Sequence, residues 1–177
     1  MGPDAELRRV LDEAAIGRVI AQNFRAADRC DLEMLKASYW PDASYWHIFS
    51  SGNAWDSMEK LVVMLSETTE SGTHNLGSMV IEINEDVAAC ESNSTNFLRV
   101  KSPDGPVSVM ITARILDRFE RRNGEWRIAT RRILPAWQMN AAAMMGEEAV
   151  ELHFSGGRQG LEDPSYAFLA ELGQHAR

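Results

Sequence analysis

Residues 107–134 read VSVMITARILDRFERRNGEWRIATRRIL, and this stretch decides the fold class. Val107, Val109, Ile111, Ala113 and Ile115 alternate along it, so they share one side of an extended segment. Asn123-Gly124 is the dipeptide that a two-residue hairpin turn favours, because such a turn needs positive φ at both central positions. Trp126 to Leu134 returns as the partner strand. Upstream, Ser102-Pro103-Asp104-Gly105-Pro106 is a turn and Val87 to Val100 is extended. Another turn at Asn84-Glu85-Asp86 leads back to an extended run from Leu76 to Ile83. The later part of the chain therefore predicts four antiparallel strands joined by tight turns.

The earlier part follows a helical period. From about Asp4 to Ala27, the residues Leu7, Val10, Leu11, Ala14 and Ala15 form an apolar stripe. Ile16, Val19, Ile20, Phe24 and Ala27 continue it after a small shift of face near Gly17. Asp31 suits the N-cap of a second helix, Leu32 to Ser38, with Glu33 in its first turn. Pro41-Asp42 marks a turn, and Ala43 to Phe49 reads as a strand rich in aromatic residues. Ser57 to Glu67 predicts a third helix, and Ser71-Gly72-Thr73 a loop that delivers the chain to His74. Helices followed by an antiparallel sheet define an α+β domain.

The chain has 177 residues, 45% of them hydrophobic and 25% charged, as expected for one globular domain with a core. The net charge of −8 argues against nucleic-acid and anionic-membrane partners. Two cysteines, Cys30 and Cys90, with no CxxC motif, fit a reducing cytoplasm and give no zinc signature. The N-terminus has no signal-like apolar stretch, and no run approaches the ~18 apolar residues of a membrane span. No Gly-rich phosphate loop is present, so neither a metal nor an organic cofactor is expected. Residues 138–177 differ in character. Ala141 to Met145 is small and apolar, Ser155-Gly156-Gly157 is a break, and Tyr166 to Leu172 is a short helix candidate. We read residues 1–137 as the domain and 138–177 as an extension docked on it or on a neighbouring subunit.

Two residues stand out for chemistry. Capping accounts for Asp31, but Asp28 falls where the first helix ends and has no such role. His74 opens a long extended run. A histidine titrates near neutral pH, with an unperturbed pKa of ~6.5, and can take a proton. A carboxylate bonded to one ring nitrogen would fix its tautomer and orientation. No Ser or Cys nucleophile is marked out, so the pair would act as acid and base on a C–H or O–H bond. The aromatic segment adds Tyr45, Trp46 and His47 as candidates for binding a ligand. Nine Met and five Trp suit a flat hydrophobic or aromatic compound.

The element order, with Asp28 in Ala27-Asp28-Arg29-Cys30-Asp31 and His74 in Thr73-His74-Asn75-Leu76-Gly77, resembles the SnoaL-like branch of the NTF2-like superfamily. The resemblance covers roughly residues 5 to 137. It implies a cone in which a curved, mainly antiparallel sheet is wrapped by about three helices around an apolar pocket. Within that branch, the scytalone dehydratases and hexachlorocyclohexane dehydrochlorinases carry an Asp–His pair that Asp28 and His74 match. The dehydrochlorinases also have an Arg on the last strand, five residues after a Trp, and Trp126 and Arg131 keep that spacing. Strict alternation from Trp126, Ile128 and Thr130 puts Arg132 on their side and Arg131 on the other, and a bulge would exchange the two.

The chain also departs from the pattern. The dehydrochlorinase Lys five residues before the Asp is Asn23 here. A second dehydratase His has no counterpart in Leu98 to Ser102, and a substrate-polarising Tyr falls near His47. The resemblance implies a cofactor-independent lyase or isomerase: a dehydratase, dehydrohalogenase, cyclase or deformylating, retro-aldol enzyme. Its substrate would be a hydrophobic cyclic or aromatic compound. Asp28 and His74 would be catalytic, with Arg131, His47, Tyr45, Asn23 and Trp46 binding the substrate. A homodimer or homotrimer formed through the sheet is expected, because strand 107–120 carries apolar bulk on both sides. The other reading is a ligand-binding or structural subunit, like the β subunit of ring-hydroxylating dioxygenases.

Overall fold

The long hairpin anchors the sheet. In a computed structural model of the chain, β5 (Val107–Arg122) and β6 (Glu125–Ala142) pair antiparallel across Asn123 and Gly124. Both turn residues have positive φ, 54° and 84°, as that turn requires. The structure describes residues 2–142, 159–163, 165–167 and 170.

β4 (Val87–Val100) pairs with β5, and β3 (Thr69–Asn84) pairs with β4. On the other side, β1 (Tyr39–His47) lies parallel to β6, and β2 (Ser50–Asn53) closes the edge. The six strands run in the order β2-β1-β6-β5-β4-β3. The sheet is mixed, because β1 enters from the helical part of the chain and pairs with the last strand. α1 (Pro3–Arg29) packs on β3 and β6, and α3 (Ala54–Thr68) on β1 and β2. α2 (Leu32–Ala37) touches both of these helices. The architecture is the α+β domain that the element order predicts and the cone that the resemblance implies. No described helix is long and apolar enough to cross a membrane.

Several expected boundaries shift, each for a local reason. Pro41 and Asp42 lie inside β1 and do not form a turn. The β1–β6 register breaks between Tyr39 and Ser44, and the missing proline N–H falls in that irregularity. Ser71 to Thr73 is strand, not loop, since β3 starts at Thr69. A Cβ on Gly72 would come within 2.7 Å of Leu98 Cδ2, the movable end of that side chain. β6 continues past Leu134: Pro135 lies opposite Ala113, Trp137 opposite Thr112, and Ala136 is the extra residue between them. The stripe of Leu7, Val10 and Leu11 is exposed, whereas Ile16, Ile20 and Phe24 are buried. Only the second half of α1 reaches the core.

α3 begins three residues earlier than the apolar pattern predicts, because Asn53 caps it. Its Oδ1 accepts from Trp55 N at 2.8 Å and Asp56 N at 3.3 Å. Asn53→Ala is expected to lower stability by ~1 kcal/mol, read as a reduced urea midpoint at unchanged slope.

Residues from the extension touch the end of α1. Tyr166 donates to Asp31 Oδ2 at 2.6 Å, beneath the Arg25 guanidinium, which lies 4.1 Å from its ring centre. Arg29 Nε lies 3.0 Å from Asp163 Oδ1. Burial, then the Asp31 contact, pushes the Tyr166 phenol up to about 12. The expected break at Ser155 to Gly157 lies outside the described residues, as do most of Tyr166 to Leu172 and residues 143–145 of the apolar stretch.

Candidate active site

α1 ends in a left-handed residue, Cys30 (φ 52°), whose N–H caps back onto Ala26 and Ala27. That turn frees Asp31 to cap α2 through Met34 N, at 3.0 Å. It also leaves Asp28 on the last turn of α1, facing β3. Asp28 Oδ1 accepts from the His74 backbone N–H at 2.8 Å and lies 2.7 Å from His74 Nδ1. The carboxylate thus holds both the strand and the ring of the same residue. A carboxylate can only accept, so the neutral ring carries its proton on Nδ1 and leaves Nε2 bare. Phe24 meets the imidazole edge-on, with ring centres 6.3 Å apart, and limits its rotation.

A cavity of about 270 Å³ lies between the helices and the concave side of the sheet. That is at the small end of ligand sites, which run roughly 300–1,000 Å³. Phe24, Leu35, Met58, Leu65, Ile115 and Ile133 supply much of its apolar wall. His74 lines this cavity, whereas Asp28 stands behind the ring and does not.

Arg131 points inward. In the β5–β6 register Phe119 pairs with Ile128 and Arg118 with Thr130, so Ala129 is an extra residue. This bulge reverses the alternation after Ile128 and gives the inward position to Arg131, which is 3% exposed. Its Nε and Nη2 each donate to one oxygen of Asp117 at 2.7 Å, and Nη1 donates to Asn23 Oδ1. Burial opposes the charge, but Asp117 together with Tyr39 and Tyr45 outweighs it, and the arginine pKa stands above its ordinary value.

Asn23, Tyr45 and His47 also line the cavity. Tyr45 stands between Tyr39 and His47, with ring centres 6.5 and 6.4 Å away. Burial raises its phenol pKa, so it stays protonated. Burial also lowers the His47 pKa, which keeps that ring neutral further into acid. Trp46 is not brought to the site. It alternates with Tyr45 and His47, faces outward at 41% exposure and lies under the Arg132 guanidinium at 4.9 Å.

Among the lining or supporting residues that went unread in the sequence are Tyr39, Ser94, Asn96 and Asp117. Asp117 had a signal. It continues the inward series Ile111, Ala113, Ile115, and an acid at such a position needs a partner. Ser94 and Asn96 sit in an alternating polar run on β4 that reads equally well as a solvated face. Among the described residues no cluster of three or more His, Cys, Asp or Glu could hold a metal ion.

With this geometry established, the chain can be placed among known proteins. The SnoaL-like domain family matches residues 8–132, and the chain belongs to that family. No curated protein sequence matches it. Among solved structures it is similar to the hexachlorocyclohexane dehydrochlorinase LinA, at TM-score 0.73 and 19% identity over 80% of this chain and 97% of that one. A LinA-type3 dehydrochlorinase from Novosphingobium barchaimii gives 0.71 and 17%, with the same coverage. A scytalone dehydratase-like protein from Novosphingobium aromaticivorans gives 0.66 and 15%, over 78% and 93%. At these identities the likeness concerns the fold.

Proposed function

We propose that the chain is a lyase, or failing that an isomerase, that uses His74 and Asp28 as an acid–base pair on a hydrophobic cyclic or aromatic compound. One observation carries the reading: Asp28 holds Nδ1 of His74 at 2.7 Å, and the same ring lines an apolar cavity. His74 Nε2 takes a proton from a carbon of the bound compound. The C–H electron pair becomes a π bond, and the leaving group on the next carbon departs with its own pair. In the isomerase version the proton returns to a different carbon. Asp28 orients the ring and offsets the positive charge it gains. General acid–base help of this kind contributes ~10²–10⁴-fold, and the cavity must supply the orientation. The dehydrochlorinase and dehydratase names of the similar structures denote eliminations, which supports the lyase version.

A thermal-shift screen of hydrophobic aromatic compounds tests this. A true ligand at about a hundred times its dissociation constant stabilises the protein by ~2.7 kcal/mol. Turnover of a stabilising compound that disappears in His74→Ala supports the reading. Turnover untouched by that substitution contradicts it.

The same proposal includes self-association through the outer face of the sheet. Phe97, Met110 and Met139 form one cross-strand row there, and Phe97 and Met139 are about half exposed. Sedimentation at micromolar concentration should give a dimer or trimer, and a monomer would contradict this part.

A further inference from the structure

The inner end of the cavity contains a cation whose charge is already cancelled. Both oxygens of Asp117 are bonded to Arg131, and the Asp117 side chain is fully buried against it. Behind His74 stands the carboxylate of Asp28. An anion entering this space would leave water and gain no unpaired positive charge from Arg131.

Arg131 does something else. A guanidinium only donates, so the Asn23 amide must turn its oxygen toward it. The amide nitrogen is thereby aimed away from Arg131. Asn23 is 4% exposed and lines the cavity, and its Nδ2 has no hydrogen-bond partner. The Tyr39 hydroxyl, fully buried and also lining the cavity, lies beside the Asn23 amide and Arg131, whose N–H groups partly offset the effect of burial on it, and it has no partner within hydrogen-bond distance either. Buried donors without partners are rare, and a ligand oxygen is the natural complement. Asn23 and Asp28 are five residues apart on α1, a rise of ~7.5 Å along the helix axis. A cavity of about 270 Å³ has room for one or two rings, with Phe24, Met58 and Ile115 among the apolar lining.

We propose that the cavity selects an uncharged one- or two-ring compound whose inner end carries a hydroxyl or carbonyl oxygen, held by Asn23 Nδ2 and the Tyr39 hydroxyl. Asp117, by cancelling Arg131, excludes carboxylates and phosphates. This deepens the acid–base reading and rests on it for the direction of the ligand, but the binding preference stands without turnover.

Calorimetric titration with 2-naphthol, naphthalene and 2-naphthoate at neutral pH tests it, since the three share one ring system. The wild-type protein should bind 2-naphthol about tenfold tighter than naphthalene, the worth of one hydrogen bond. It should bind 2-naphthoate weakest of the three. Asn23→Leu should remove the preference, so that within this variant 2-naphthol and naphthalene bind with nearly equal affinity. Asp117→Asn should gain affinity for 2-naphthoate, and 2-naphthoate should raise the melting temperature of that variant. Should that variant fail to fold, the wild-type ranking still decides the matter. The proposal is overturned if wild type binds 2-naphthoate as tightly as 2-naphthol, or prefers neither 2-naphthol nor naphthalene, or binds none of the three. Any of these results leaves the test at His74 untouched. Conversely, selective 2-naphthol binding with no role for His74 in turnover would remove the acid–base reading and keep this one.

Discussion

His74→Ala is expected to lower kcat by ~10²–10⁴-fold on any compound the protein turns over, with little change in ligand affinity. The ring lines the cavity, yet its Nδ1 is engaged by a residue outside it. Removing it takes away the proton acceptor and leaves the apolar walls. Asp28→Asn should cost a comparable factor. An amide can present N–H to the ring, which favours the wrong tautomer and blocks Nε2 with a proton. The double variant should then be little worse than either single one, because each removes the same proton transfer. Kinetics of the three variants check this. Losses that multiply would mean that the residues act independently. A base role for Asp28 itself would require the carboxylate to reach the ligand, and it stands behind His74 instead.

Asp117→Ala is the substitution expected to destabilise the fold most. It leaves the Arg131 guanidinium buried without its carboxylate, and breaking a buried pair on one side costs ~3–5 kcal/mol. The pair itself is not a large source of stability, since desolvation of both charges offsets their attraction. The combined change Asp117→Leu with Arg131→Met should therefore be much less harmful than Asp117→Ala alone. Urea denaturation of the two proteins checks this. Equal losses would show that the cost comes from lost packing and not from the stranded charge.

The sheet and its turns were largely legible in the sequence, because alternation and the Asn123-Gly124 signal are local. The Asp28–His74 juxtaposition was legible through the family resemblance, although His74 lies inside β3 and not at its start. What was not legible is non-local. The inward turn of Arg131 depends on one extra residue, Ala129, that alternation alone cannot place. Strict alternation favoured Arg132, and only the family resemblance favoured Arg131. Trp46 was grouped with Tyr45 and His47 by composition, although adjacent strand residues face opposite ways. The early stripe on α1 has the right period but extends beyond the sheet it would pack on. Asn53 was missed as a cap because the apolar run begins later than the helix. Polar residues lining a cavity, such as Ser94 and Asn96, follow the same pattern as polar residues facing water.

The acid–base pair requires a histidine whose proton sits on Nδ1, against Asp28, with Nε2 free for the ligand. Nitrogen-15 NMR of the imidazoles, at a pH where the rings are neutral, reads this directly. His74 should show a protonated Nδ1 and a bare Nε2, and Asp28→Asn should disturb this state. A His74 ring protonated at Nε2 in the wild-type protein would contradict it.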